Sequence, residues 1–416
     1  MKKSIYNRIG GTLLTLALIS VGAFAQKADS VITQGGANDV YYSFKNGITT
    51  EVDKSTWDIA LNTAAFDASI LINENAGVEL YSYGTNVDEW DIVDTAGFAF
   101  QNIYNSSESW GNGAFVRLAS GHPDYGWGTY NMGTHNVTGN RIFILKDRND
   151  VYHQVVIENM SAAGEYTIKT ADIGGGNTVT LDIDKKDAAF VGKNFVHFDF
   201  TAQKVLNNEP LRKDWDLLFT KYIDLVPTRT GDLLPYLVSG VKINKGYEVA
   251  ERTSLPAASN DTNNLNWNTD ITEIGSDWKS FDFASFSYLM TDSLAYFVKG
   301  DGGVVWKIDF TNYKGGSTGG YYFNIEQLRR SASVNGVQEL TTRVYPNPSN
   351  GRFTVENKEN DAVEVSLMTL TGKVLESYNL APNSAMNIDA TSVVSGIYIL
   401  SIRSNDKLST QRIVIK

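Results

Sequence analysis

Between Gly121 and His135 the chain brings together two imidazoles (His122, His135), a thioether (Met132) and three aromatic rings (Tyr125, Trp127, Tyr130), spaced by Gly121, Gly126, Gly128 and Gly133. Imidazole and thioether are ligands for transition metals, and a glycine-rich loop set with rings can form the wall of a pocket. The other two histidines, His153 and His197, fall in strand-like runs and read as strand residues. Nothing else in the chain spells out a reaction. There is no Gly-x-Ser-x-Gly elbow, no His-Glu-x-x-His pair and no nucleotide loop, since Gly174-Gly175-Gly176 is not followed by Gly-Lys-Ser/Thr. Carboxylates are plentiful, but no pair is marked out for acid–base work. The expectation is a protein that is not an enzyme.

The elements that must position this loop are repeated. Trp57-Asp58-Ile59-Ala60-Leu61 returns as Trp215-Asp216-Leu217-Leu218-Phe219. In both copies Trp and two apolar residues alternate, which predicts a half-buried strand. Around this pair other landmarks recur in the same order. The opening strand Asp39 to Phe44 matches Phe195 to Phe200, with Tyr41 opposite His197, and Ile72-Asn73 matches Ile243-Asn244. Trp127 matches Trp278, and Arg141 to Lys146 matches Leu294 to Lys299. Each copy closes on a hairpin, turning at Asp147 to Asp150 in one and at Gly300 to Gly303 in the other. The acidic turn invites a calcium reading, which the glycine turn in its counterpart removes.

The chain has 416 residues, a formal net charge of −11 and no cysteine. Its acidity argues against a nucleic-acid partner, and the lack of cysteine excludes disulfides and thiolate metal sites. Lys2, Lys3 and Arg8, the apolar run Leu13 to Val21 and Ala23-Phe24-Ala25 predict a signal peptide over 1–25. No segment is long enough for a transmembrane helix in the mature protein. Many glycines and short alternating runs predict an all-β fold: mainly antiparallel β units over 26–186 and 187–331, a linker over 332–341 and a small C-terminal β-sandwich over 342–416.

That last module resembles the C-terminal sorting domain of type IX secretion substrates. The resemblance rests on Tyr345-Pro346-Asn347-Pro348 with Gly351, on Leu370-Thr371-Gly372-Lys373, on Ser395-Gly396-Ile397-Tyr398 and on the basic end. It implies export by the type IX secretion machinery to the outer-membrane cell surface or the extracellular space, with removal of the module.

Residues 38 to 328 resemble two divergent tandem copies of the HmuY-like family of haem-binding surface proteins. The carriers are Asp214 to Leu217, Gly240 to Gly246, and Tyr296 to Gly302 running into Trp306 to Tyr313. The resemblance implies haem, or another tetrapyrrole, gripped between two axial side chains and passed to an outer-membrane haem receptor. One family ligand follows a Trp by a few residues, which places Met132 there in the first copy and Phe283 in the second. His135 or His122 would supply the other axial group, with Trp127 and Tyr130 walling the site. The alternative is a surface structural or adhesion protein of the same fold that binds no haem.

Overall fold

The computed structural model describes residues 26–228, 230–253, 260–329, 342–369, 373–404 and 407–416. The expected signal peptide, the linker and the Leu370-Thr371-Gly372 turn lie outside the described residues. Among the described residues the regular structure is β-strand, with loops between the strands and helical geometry only in 3-10 turns of three to six residues. It divides into two compact units, one running to Arg330 and the other beginning at Ser331.

In the first unit the repeat is visible as matched hydrogen bonds. Asn73 donates through Nδ2 to the carbonyls of Trp57 and Lys54, at 2.9 Å each. Asn244 does the same to Trp215 and Arg212, at 2.7 and 2.6 Å. Trp127 and Trp278 are fully buried and donate their indole N–H to the carbonyls of Ala68 and Gly275, at 3.0 and 3.1 Å. A buried indole or amide must find a partner, and both copies solve this with backbone carbonyls, corresponding ones for the two asparagines and different ones for the two indoles.

The matched pieces do not, however, pack within their own copy. One four-stranded sheet runs in the order Leu233–Ile243, Leu217–Pro227, Asn38–Ser43, Gly47–Asp53. The other runs Lys204–Leu206, Phe195–Asp199, Ile59–Asn62, Ile70–Ile72. Each sheet is therefore the opening hairpin of one repeat joined to the Trp hairpin of the other. The joints are antiparallel, with Leu217 opposite Tyr42 in one sheet and Ile59 opposite Phe198 in the other.

The strand that precedes the first opening hairpin is exchanged too: Lys27–Ile32 pairs with Gly320–Arg329 near the end of the second repeat, whereas its counterpart Val179–Asp184 stays within 26–186, in a hairpin with Glu165–Asp172. In both strands the fifth residue, Val31 or Ile183, is buried. The repeats thus share strands across the 186/187 position.

An aspartate closes each joint. Asp58 donates its backbone N–H to the Phe198 carbonyl at 2.8 Å, and its Oδ2 accepts the Phe200 N–H at 2.8 Å. Asp216 mirrors this on the first repeat, bonding Tyr42 through its N–H and accepting the Phe44 N–H at 2.7 Å. The supporting partners differ. Asp58 is paired with Arg148, whose other nitrogen reaches Asp199 at 2.7 Å, whereas Asp216 receives the hydroxyl of Tyr247 at 2.9 Å. The turn that read as an acidic hairpin therefore matters through its one cation.

The Trp strands correct the expectation of half-burial. Ile59–Asn62 is buried at every position because both faces are covered. Ile59 and Leu61 pack with Trp127, Phe143, Val196 and Phe198, while Trp57 and Ala60 pack in a separate cluster with Trp215, Leu217 and Phe219. A strand buried on both faces loses the alternation that would mark its solvent side.

The second unit is a sandwich of two antiparallel sheets. Thr342–Tyr345, Arg352–Asn357 and Ser384–Asp389 form one. Val374–Leu380, Val363–Met368, Gly396–Ser404 and Lys407–Ile415 form the other. Phe353, Val355, Val365, Leu367, Leu400, Ile402 and Ile413 fill the space between them. The all-β class with a small C-terminal sandwich is as expected.

If the aspartate joints hold the exchanged hairpins, Asp58→Ala should cost about 3 kcal/mol or more, because it strips a buried guanidinium of a partner. Asp216→Ala, which loses a neutral phenol and a backbone N–H, should cost about 1–3 kcal/mol. Urea unfolding of the two variants checks the order. Equal or negligible costs would mean that the joints are held by apolar packing alone.

Candidate functional site

The loop from Gly121 to His135 folds as a short hairpin, Gly128–Tyr130 with Val137–Gly139, whose tip is residues 131–136. Asn131 shapes the tip by accepting the N–H groups of Gly133 and Thr134 at 2.8 and 3.1 Å, and His135 closes it with φ +60. Three predicted residues come together here. The Tyr130 hydroxyl lies 2.6 Å from His135 Nδ1, and the His122 ring sits 5.4 Å from the Tyr130 ring. With Nδ1 engaged by the phenol, Nε2 is the imidazole's other ligand atom, the way a second-shell group orients a metal-binding histidine.

The other two predicted residues lie outside this cluster. Met132 is 75% exposed on the same tip, and Trp127 is a core residue rather than part of a site wall. Behind the cluster, a cleft of about 30 Å³ is lined by Phe66, Tyr125, Tyr130, His135 and Met160. It is far smaller than the ~300–1,000 Å³ of ordinary small-molecule pockets. In the second repeat Phe283 follows the hairpin strand Lys279–Asp282 and is 72% exposed, so the two tips are equivalent in place and in exposure. His153 and His197 are strand residues. His153 is 3.1 Å from Asp147, and buried His197 stacks on Trp57 at 4.3 Å between ring centres.

A second site, unmarked in the sequence, lies where the exchanged strands meet. A cavity of about 60 Å³ is walled by Tyr41, Trp57, Trp110, Trp215 and Tyr222 and carries Asp39, Glu74, Glu209, His197 and Lys242. Tyr41 packs edge-on against Trp215 at 5.0 Å, as His197 stacks on Trp57, so each opening strand offers a ring to the other repeat's Trp. Asp39 accepts from Asn75 at 2.9 Å and from Thr220. Glu74 accepts the backbone N–H groups of Asn105 and Ile223, at 2.8 and 3.1 Å. Glu209 takes those of Asn194 and Phe195 on one oxygen, at 2.9 and 2.7 Å. The Lys242 ammonium lies over the rings of Tyr222 and Trp110, at 4.6 and 5.2 Å.

Burial dominates the titration of these groups. It raises the carboxyls of Asp39 and Glu74 and lowers the ammonium of Lys242, each against opposing attraction between the cation and the two acids. Burial pushes Glu209 up to about 8 and His197 down to about 4. Paired carboxylates in a cleft are what a glycoside hydrolase would need. These acids are instead enclosed and committed to donors of the fold, side chains for Asp39 and backbone N–H groups for Glu74 and Glu209, in a space too small for a sugar polymer. No local motif could reveal the site, since Asp39 and Glu74 come from one repeat and Glu209 and Lys242 from the other.

In the second unit, the predicted Pro346, Asn347, Pro348 and Gly351 form the turn that holds the terminal strand. Asn347 donates to the Arg412 carbonyl at 2.7 Å and accepts the Val414 N–H at 3.0 Å. Ser349 donates its N–H to Val414 and accepts that of Lys416, at 2.8 Å each. Gly351 has φ +81, and a Cβ there would meet Thr391 Cα at 2.9 Å, so no side chain fits. The turn, the sandwich and the clamped end make one arrangement. Residues 343–416 match the secretion system C-terminal sorting domain. The sorting domain marks the protein for export by the type IX secretion machinery to the cell surface or extracellular space. No curated protein matches the chain. Among the described residues, no helix is long and apolar enough to cross a membrane.

The buried acid gives a pH test. Between about pH 4.5 and 8 the folded chain holds a proton on Glu209 that the unfolded chain has lost, so this group's contribution to stability falls as pH rises through that window. His197 acts the other way between about 4 and 6.5, and Lys279, lowered to about 7 by burial, does so from there to 10.5. The difference between Glu209→Gln and the parent isolates the acid. The variant's relative stability should climb from pH 4.5 to 8 and then level off in urea titrations. A difference independent of pH would mean that Glu209 is ionised throughout.

Proposed function

We propose that this is an exported, non-catalytic binding protein whose body, residues 26–329, captures haem or another planar tetrapyrrole at the tip of the first-repeat hairpin and passes it to an outer-membrane receptor. The observation that carries the ligand class is the contact of His135 Nδ1 with the Tyr130 hydroxyl oxygen at 2.6 Å: with Nδ1–H donating to that oxygen, Nε2 would be free to hold an iron, and the exposed Met132 thioether lies on the same six-residue tip. The HmuY-like resemblance of residues 38 to 328 supports the same class. The cleft behind the tip is too small for a macrocycle, so His135 and Met132 would hold it at the exposed tip.

Haemin titrated into the purified protein should then give a shifted Soret band that His135→Ala abolishes and Met132→Ala weakens or shifts. No shift in the parent, or identical spectra in the parent and both variants, would remove the haem reading. Export is tested separately, by the mass of the mature surface form. The sorting domain should be missing from it, and retention of residues 343–416 would contradict its removal.

A second reading follows from the matched tips. Met132 and Phe283 are both apolar and strongly exposed at equivalent turns. A surface structural or adhesion protein would use such tips as contacts without iron. A colourless, haem-indifferent protein that binds surfaces through Met132 and Phe283 would fit that reading.

A further inference from the structure

Most buried polar side-chain atoms in this protein have partners, and those that do not are unevenly distributed. Trp57 Nε1, Trp215 Nε1, Asn75 Oδ1 and Glu209 Oε1 are all buried without a hydrogen-bond partner, and all four residues line the cavity between the repeats. Their residues are between 2% and 9% exposed, so bulk solvent does not serve them. Each such group costs roughly 1–3 kcal/mol if left bare. An unpaired group of this kind in a native fold calls for an explanation, and four around one space point to a shared guest.

The chemistry of the wall defines the guest. The two indoles can only donate, and the Asn75 oxygen can only accept. Glu209, neutral below about pH 8, can do either through its carboxyl group. A hydroxyl is the small group that accepts from the indoles and donates to the amide oxygen. A cation is disfavoured because the Lys242 ammonium already lies over Tyr222 and Trp110. An aromatic or aliphatic guest would leave all four atoms bare. The cavity holds about 60 Å³, and a water site needs roughly 10–15 Å³, so there is room for about four hydroxyl oxygens.

We propose that the cavity between the two repeats binds a small hydroxylic guest, either a cluster of ordered water molecules or a compact polyol, held by Trp57 and Trp215 as donors, Asn75 as acceptor, and Glu209 completing the shell. Each repeat supplies one indole, so the guest bridges the exchanged halves. The proposal is independent of the hairpin tip and of iron.

Indole N–H resonances of the full-length protein test it, with those of Trp57 and Trp215 assigned from Trp57→Phe and Trp215→Phe. If water is the guest, both indoles show dipolar cross-peaks to long-lived water, and added glycerol leaves them unmoved. If a polyol is the guest, glycerol shifts both resonances saturably while the buried Trp127 and Trp278 indoles, already bonded to carbonyls, stay fixed. In that case Glu209→Gln should raise the half-saturating glycerol concentration by about 2- to 10-fold, the value of one neutral hydrogen bond. Either pattern supports the proposal and identifies the source of the hydroxyl. Absence of both water cross-peaks and glycerol shifts at Trp57 and Trp215 would overturn it.

Discussion

The structure depends on a carboxylate from one repeat accepting a backbone N–H from the other. Asp58 holds Phe200 and Asp216 holds Phe44, each at the point where an opening strand joins a foreign Trp strand. A buried carboxylate without donors is costly, and an edge strand without a neighbour leaves its N–H groups bare. Each joint settles both debts at once. With Lys27–Ile32 also paired to Gly320–Arg329, three sheets contain strands of both repeats, and residues 26–329 form one compact unit.

This exchange explains what could and could not be read from the chain. The repeat was legible because Trp57-Asp58 and Trp215-Asp216, Asn73 and Asn244, and Trp127 and Trp278 do the same hydrogen-bonding work in both copies, so their types recur in order. The partner of each strand was not legible. Alternation in Asn38–Ser43 or Phe195–Asp199 specifies an extended, buried segment and carries no label for which Trp strand it joins. In the sorting domain, the strongly alternating strands and the Pro-Asn-Pro turn were readable. Ser384–Asp389 carries a fainter signal, because Ala385, Met386 and Asn387 give little alternation.

The same logic separates the two sites. The His122–Tyr130–His135 cluster could be found because a local loop concentrates unusual residue types, although Met132 and Trp127 from the same stretch point to solvent and to the core. The central cavity draws Asp39, Glu74 and Asn75 from the first repeat and Glu209, Tyr222 and Lys242 from the second, so it exists only after the exchange. Repeat divergence is concentrated at the rim: Met132 faces Phe283 in the alignment, and the Arg148 turn faces a glycine turn. The shared hydrogen bonds of the frame are kept, which suits a duplicated scaffold whose tips have been free to specialise for an exported protein.

The central claim is that the two repeats form one cooperative body. Hydrogen exchange followed by mass spectrometry across a urea series measures it directly, comparing peptides that contain Ile59–Asn62 and Ile70–Ile72 with peptides from Leu217–Pro227 and Leu233–Ile243. The account predicts that all four lose protection at one urea midpoint, because each sheet contains strands of both repeats. Loss of protection in one Trp hairpin at a clearly lower urea concentration, with the other still protected, would contradict it.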